Sequence, residues 1–192
     1  VSSNEPFANI EKYETREQYL YADREATYSF TTPDLGVYMI SVTPAENAGS
    51  VSARVDLLKD TSTIVDLAPD GVVYKNVNIW LGTSGFATSE NIRDAVIRFK
   101  VSRDWPSAHS VDSIVLMQYT GGNWVELKTV KIGESDGDIL YESSTDHFSC
   151  FAIVGKAKEM PVVPDKPTDE VPSEVVQPTP EPTEEEGKSP GF

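Results

Sequence analysis

The chain is a succession of short apolar runs separated by Gly, Pro, Asn and Asp, with no long stretch of the 3.6-residue period of a helix. Residues 51–57 alternate between apolar and polar side chains, which is typical of a strand with one buried and one wet face. Ala95, Ile97, Phe99 and Val101 fall on one face of another such strand. Eight or more short strands predict an all-β fold, an antiparallel β-sandwich.

Two segments have the composition of tight hairpin turns. Thr-Gly-Gly-Asn at 120–123 joins a strand at 113–119 to a returning strand at 124–129. Glu-Ser-Asp-Gly at 134–137 precedes a strand at 138–142. Such turns require positive φ, which Gly, Asn and Asp adopt most readily. The second half of the sandwich is therefore predicted to consist of hairpins.

Two short helical pieces are expected among the strands, one beginning at 89–92 and one forming a single turn within 102–109. The sandwich is predicted to span residues 1–156. It is either one Ig-like sandwich or two small packed sandwiches that meet near Asp70, and the pattern leaves both arrangements open.

The composition changes after Gly155. Pro then recurs every few residues among Glu, Asp, Thr, Val and Ser, and no aromatic residue occurs before Phe192. Pro blocks the propagation of helix and sheet, and so little apolar surface cannot offset the chain entropy lost on folding. We therefore predict a disordered, acidic, Pro-rich linker at 157–189, which like charges and Pro keep extended.

The formal net charge of −15 argues against two classes of partner. An acidic chain repels nucleic-acid phosphates and anionic lipid head groups. Val1 is not an initiator Met, so we expect a mature or excised fragment. Cys150 is the only cysteine and lies in an apolar run, which favours a buried, inert thiol over a nucleophile.

Catalytic chemistry has few candidates in this sequence. Residues 133–137 match the Gly-x-Ser-x-Gly pattern of hydrolases, but that pattern functions between a strand and a helix, and here it reads as a hairpin turn. His109 and His147 are the only histidines, and both read as ordinary surface or strand-end residues. We expect no enzyme activity, no catalytic residue and no cofactor.

Two kinds of ligand have candidate residues in this sequence, a calcium ion and a sugar. Glu134, Asp136 and Asp138 could offer oxygen ligands to Ca²⁺, but their spacing is not that of an EF-hand, and no metal site is expected. Three tryptophans could form a platform on which sugars stack, although tryptophans more often pack in a core. These are Trp80, Trp105 and Trp124.

Four motifs of the predicted sandwich resemble the archaeal PGF-pre-PGF domain. They read Tyr-Lys-Asn-Val-Asn-Ile-Trp-Leu-Gly at 74–82, Ile-Arg-Asp-Ala-Val-Ile-Arg-Phe-Lys-Val at 92–101, Val-Leu-Met-Gln-Tyr at 115–119 with its Gly-Gly-Asn-Trp turn, and Phe-Ser-Cys-Phe-Ala-Ile at 148–153. The looser match covers nearly all of residues 1–155.

The end of the chain resembles a second feature of the same surface proteins. Pro190, Gly191 and Phe192 follow the acidic stretch, as in the PGF-CTERM sorting signal. In that family a hydrophobic helix and a basic cluster follow the tripeptide, and an archaeosortase processes the signal so that a lipid holds the protein at the membrane. The present sequence stops at Phe192.

The resemblance implies a location rather than a reaction. It implies an extracellular, cell-surface protein, anchored to the membrane through a C-terminal segment absent from this sequence, with an archaeosortase-type enzyme as its partner. The expected function is a non-catalytic structural module that spaces upstream domains from the membrane or S-layer. The alternative is an adhesion module that binds carbohydrate or protein, such as surface glycans or an S-layer subunit. Exposed tryptophans in a row would favour the alternative.

Overall fold

The structure is a computed structural model that describes residues 1–157. Apart from its first residue, the linker predicted at 157–189 lies outside the described residues. The predicted sorting tripeptide, Pro190, Gly191 and Phe192, lies outside them as well.

Residues 1–157 form eleven strands and one short helix. The strands are β1 Ile10–Leu20, β2 Ala26–Ser29, β3 Val37–Pro44, β4 Gly49–Leu58, β5 Val72–Leu81, β6 Ile92–Ser102, β7 Val111–Thr120, β8 Asn123–Glu126, β9 Thr129–Ser135, β10 Asp138–Thr145 and β11 Cys150–Ala157. The helix α1 spans Trp105–Ala108, and a single 3-10 turn spans Phe7–Asn9. The prediction of an all-β chain is confirmed.

The strands form two antiparallel sheets. The six-stranded sheet has the order β1-β4-β5-β11-β7-β8, and the five-stranded sheet has the order β2-β3-β6-β10-β9. Strands on either side of Asp70 pair directly, since β4 pairs with β5 and β3 pairs with β6. Of the two arrangements that the sequence left open, the observed one is therefore a single sandwich.

One core fills the space between the two sheets, because the inward residues of both sheets alternate with polar ones. The residues of β6 that were predicted to share a face, Ala95 to Val101 in steps of two, are all buried in it. The largest fully buried side chains are Tyr28, Phe99 and Phe151. The antiparallel sandwich is thus held together by the alternation that the sequence displays.

Both predicted hairpin turns are confirmed, and their backbones explain their composition. Gly121 and Gly122 have φ values of 59° and 84°, and Asp136 and Gly137 have 49° and 84°. Two successive residues with positive φ match the right-handed twist of the flanking strands, which is why such turns join hairpins.

Two predicted elements differ from the structure. A helix was expected to begin at 89–92, but the segment is a turn and Ile92 begins β6. A returning strand was expected over 124–129, but β8 ends at Glu126 and Thr129 begins β9 in the other sheet. The chain changes sheets between them, and a local pattern of alternation carries no information about which sheet a strand joins. The single helical turn predicted within 102–109 is confirmed as α1.

Candidate functional site

The two ends of the described chain lie at opposite ends of the six-stranded sheet. Val1 lines a groove with Leu81 and Gly82, where β5 ends. β11 runs antiparallel to β5, and its late residue Gly155 pairs with Val72, where β5 begins. Leu81 lies nine residues after Val72 in β5. At roughly 3.3 Å per strand residue, the two ends of the sheet are about 30 Å apart.

Residues 1–9 cross the outer face of the six-stranded sheet, and we call them the N-terminal strap. The polar side chains of the strap reach Asp56 in β4 and Asn78 in β5, which are direct cross-strand partners. Both partners alternate with core residues of their own strands, so they point away from the core. The strap then turns through the 3-10 turn into β1.

Glu5 is the central residue of the strap and is only 5% exposed. Its Oε2 accepts hydrogen bonds from Ser62 Oγ at 2.6 Å and from Asn78 Nδ2 at 3.0 Å. Its Oε1 accepts from the backbone N–H of Thr63 at 2.8 Å and from Asn9 Nδ2 at 2.8 Å. One carboxylate thus joins the strap, β5 and the loop between β4 and β5.

The surroundings of Glu5 favour its ionised form. Burial alone would raise the pKa of this carboxyl, but hydrogen bonds from Ser62, Asn9 and Thr63 outweigh it, so the pKa lies below its ordinary value. Beneath it, the thiol of Cys150 lies 3.6 Å from Ser62 Oγ, and burial raises the pKa of that thiol. The prediction that Cys150 is buried is confirmed.

Asp56 forms a second polar centre beside Glu5, and its side chain has no exposed surface. The carboxylate accepts from Ser3 Oγ at 2.5 Å and from Trp80 Nε1 at 2.8 Å, and it pairs with Arg54 Nε at 2.6 Å. The Arg54 guanidinium also lies 4.0 Å from the centroid of the Tyr13 ring. Because this buried charge is paired and hydrogen-bonded, the fold can tolerate it.

No apolar side chain anchors the strap. Val1 is 39% exposed and Phe7 is 78% exposed. Within residues 1–8 no strand is formed, so the strap adds no ladder of backbone hydrogen bonds to the sheet. The contacts that hold it are therefore those of Ser3, Glu5 and Asn9, and the last of these binds the backbone of Asp60.

A groove of about 760 Å³ lies beside Val1, at the end of the sheet where β5 ends. Its walls combine aromatic side chains with hydroxyl groups and an amide, which are the groups that a neutral polar ligand such as a sugar would meet. They include Trp80, Phe148, Asn4, Ser2, Thr83 and Thr88.

The three tryptophans do not form a row. Trp80, Trp105 and Trp124 are each half-buried. Trp80 lies in β5, Trp124 in β8 and Trp105 in α1. Trp124 donates its Nε1–H to the backbone carbonyl of Leu67 at 2.8 Å, and Trp105 packs edge-on against Tyr74. Each ring is thus tied to a different part of the protein.

The sequence pattern of a hydrolase lies in a hairpin. Residues 133–135 end β9 and residues 136–137 form the turn to β10, with no helix after the serine. Ser135 Oγ bonds Asp136, its neighbour. His147 Nδ1 pairs with Asp146 at 2.8 Å, and His109 Nδ1 meets the carbonyl of Trp105 at 3.0 Å. Among residues 1–157, the hydrogen bonds join neither histidine to a serine or cysteine side chain.

The three carboxylates considered for calcium do not converge. Glu134 pairs with Lys131 and Arg103, and Asp138 pairs with Lys100, while Asp136 bonds Ser135. Within residues 1–157, no group of three acidic, histidine or cysteine side chains gathers closely enough to hold a metal ion.

The polar contacts of the strap are what sequence reasoning missed. The partners of Glu5 lie 57 and 73 residues away along the chain, at Ser62 and Asn78. The one available signal was polar residues on the outward positions of apolar strands, such as Asp56 and Asn78, but such positions usually face water.

These features define a class: a single antiparallel β-sandwich in which residues 1 and 157 lie toward opposite ends of one sheet, with a polar strap over its outer face. No protein-family model matches the chain, and neither does a curated protein or a solved structure. The one α-helix in residues 1–157 is far too short to cross a membrane.

Proposed function

We propose that this protein is a non-catalytic spacer of the cell surface, which holds upstream extracellular domains away from an archaeal membrane or S-layer. The observation that carries the proposal is the placement of Val1 and Ala157 near opposite ends of one rigid sheet. A module that receives the chain at one end and releases it at the other adds its own length to the assembly.

The anchoring half of the proposal comes from the sequence alone. In this proposal an archaeosortase-type enzyme acts on Pro190, Gly191 and Phe192, which follow the acidic segment in the sequence. That segment is acidic and rich in Pro, a composition that is typical of spacers between a folded module and a membrane.

A replacement experiment tests the proposal. In the full-length protein, residues 1–157 are replaced by an unrelated β-sandwich of similar length whose chain ends also lie at opposite ends. We expect the upstream domains to stay equally accessible to a large antibody at the cell surface. A sandwich with both chain ends at one end is the matched control and should reduce that accessibility. Loss of function with both replacements would show that the module acts through its own surface.

The alternative function, recognition of a glycan or protein, would use the groove beside Val1. Trp80 and the hydroxyl groups of Ser2, Thr83 and Thr88 favour a neutral polar ligand there. Calorimetry of the isolated protein with surface glycans of its native cell tests this reading. Binding that is lost in Thr83→Ala would support the adhesion module over the spacer.

A further inference from the structure

We infer that the N-terminal strap is a mechanical clamp: it converts a pulling force on the module from peeling into shear. This inference rests on the spacer function proposed above, because a spacer that joins an anchor to exposed domains carries tension.

The strap matters because β1 begins in the middle of the sheet and runs away from the end where β11 finishes. β1 is an edge strand, and the chain of antiparallel pairings from β1 through β4 and β5 makes it antiparallel to β11. Ile10 pairs with Leu58, and the neighbouring Leu57 pairs with Val77, so β1 begins level with the middle of β5. A force applied at Ile10 and Ala157 would fold the start of this edge strand back along its own direction and break its pairing with β4 one residue pair at a time.

The strap moves the point where force enters from the middle of the sheet to the end where β5 finishes. Val1 lies beside Leu81 and Gly82, so tension between Val1 and Ala157 runs along the strands. Before β1 is loaded, that tension must break the contacts of Ser3 and Glu5. These contacts are loaded together rather than in sequence, because they lie across the direction of pull on one sheet face.

The clamp contacts suit this role because they are short, charged and spread over separate elements. Ser3 binds Asp56 of β4, and Glu5 binds Asn78 of β5 and Ser62 of the loop between β4 and β5. Hydrogen bonds to an ionised carboxylate are about twice as strong as neutral ones. The contacts of Ser3 and Glu5 bury little apolar surface. Their loss should therefore lower the unfolding force more than it lowers the thermal stability.

Optical tweezers test the inference on the full 192-residue chain, with handles fused before Val1 and after Phe192. We expect Ser3→Ala combined with Glu5→Ala to lower the unfolding force by roughly half, since forced unfolding follows the barrier along the pulled path. The matched control combines Ser107→Ala with Glu46→Ala, which are exposed residues outside the clamp, and should leave the force unchanged.

Two further measurements separate the clamp from general weakening. Ile97→Val removes one methylene group from the core and leaves the strap unchanged. When the two variants are compared per degree of Tm lost, Ile97→Val should lower the unfolding force less than the clamp variant does. In the second measurement the strap sequence before position 7 stays native, and the handle is attached through p-azidophenylalanine in place of the exposed Phe7. The applied force then bypasses Ser3 and Glu5. We therefore expect the unfolding force to equal that of the clamp variant.

Equal unfolding forces for attachment at position 1 and at position 7 would overturn the inference. The spacer proposal would survive that result, since the opposite placement of the chain ends does not depend on the clamp. A failed replacement experiment in cells would instead refute the spacer and leave the measured forces intact.

Discussion

Trp80 donates its indole N–H to Oδ2 of Asp56 at 2.8 Å, and so one half-buried ring helps to satisfy a carboxylate with no exposed surface. The bond joins the end of strand β5 to the neighbouring strand β4 on the face that the strap covers. The same carboxylate also accepts a hydrogen bond from Ser3 of the strap, so Trp80 and the strap share one buried charge.

Replacing Trp80 should therefore cost both packing and hydrogen bonding. We expect Trp80→Ala to lower the free energy of unfolding by about 3 kcal/mol. Trp80→Phe keeps much of the packing but leaves Asp56 without one donor, and should cost about 1–2 kcal/mol. Urea unfolding measures both. Tyr19→Ala, at a 56% exposed position, is the control. A Trp80→Ala variant as stable as the wild type would mean that the ring is free to contact a ligand.

The strap should make stability depend on pH in a defined direction. The pKa of Glu5 in the folded protein lies below its ordinary value of 4.5, so its contribution is fully present above that pH and is lost as pH falls through the folded pKa. Asp56, Arg54 and Cys150 lie around it, and they are unchanged in Glu5→Gln. We expect the stability difference between wild type and Glu5→Gln to shrink as the pH falls below about 4.5.

Urea unfolding of both proteins at a series of pH values measures that difference. A difference that stays constant from neutral to acidic pH would show that the charge of Glu5 contributes nothing to folding.

Gly155 is a tight packing point in the central strand β11. A Cβ atom there would lie 2.5 Å from Cγ2 of Val111 and 3.0 Å from the Trp105 ring. We expect Gly155→Ala to lower the free energy of unfolding by about 1–3 kcal/mol through overpacking. Val111→Ala removes the closest atoms, so the double variant should be more stable than Gly155→Ala alone. Thermal unfolding of the three variants checks this, and simple additivity of the two losses would contradict it.

The core and the hairpins could be predicted because their signals are local. Alternation places Ala95 and Ile97 on the same face, and the pair Gly121-Gly122 fits a turn with positive φ. The prediction of a helix beginning at 89–92 was wrong. The sequence there resembles a helix cap, but it is followed by β6, which is rich in β-branched residues and pairs with β3 and β10. Pairing partners far along the chain decided the conformation there.

The strap could not be predicted because its contacts depend on the three-dimensional fold. The first nine residues have no apolar periodicity. Glu5 acquires its hydrogen-bond donors only when the fold brings Asn78 and Ser62 next to it. A buried carboxylate is rare on energetic grounds, so a sequence argument places it in water.

The sorting tripeptide should matter for processing and not for folding. We expect a full-length protein with alanine in place of Pro190, Gly191 and Phe192 to keep the thermal stability of the wild type. Under the proposed function, the same protein should remain unprocessed, because the proposed archaeosortase-type enzyme would lack its recognition sequence. Mass spectrometry of surface-extracted protein distinguishes the forms. Cleavage and lipid attachment as in the wild type would show that the tripeptide is coincidental.

The central claim is that the sandwich adds length between the membrane and the upstream domains. The most direct test compares full-length proteins that carry zero, one or two tandem copies of residues 1–157, with a fluorophore on the upstream domain and another in the membrane. Height measured by energy transfer or by super-resolution microscopy should rise by about 30 Å with each copy, which is the length of the sheet between its two ends. A height that does not change with copy number would contradict the spacer account.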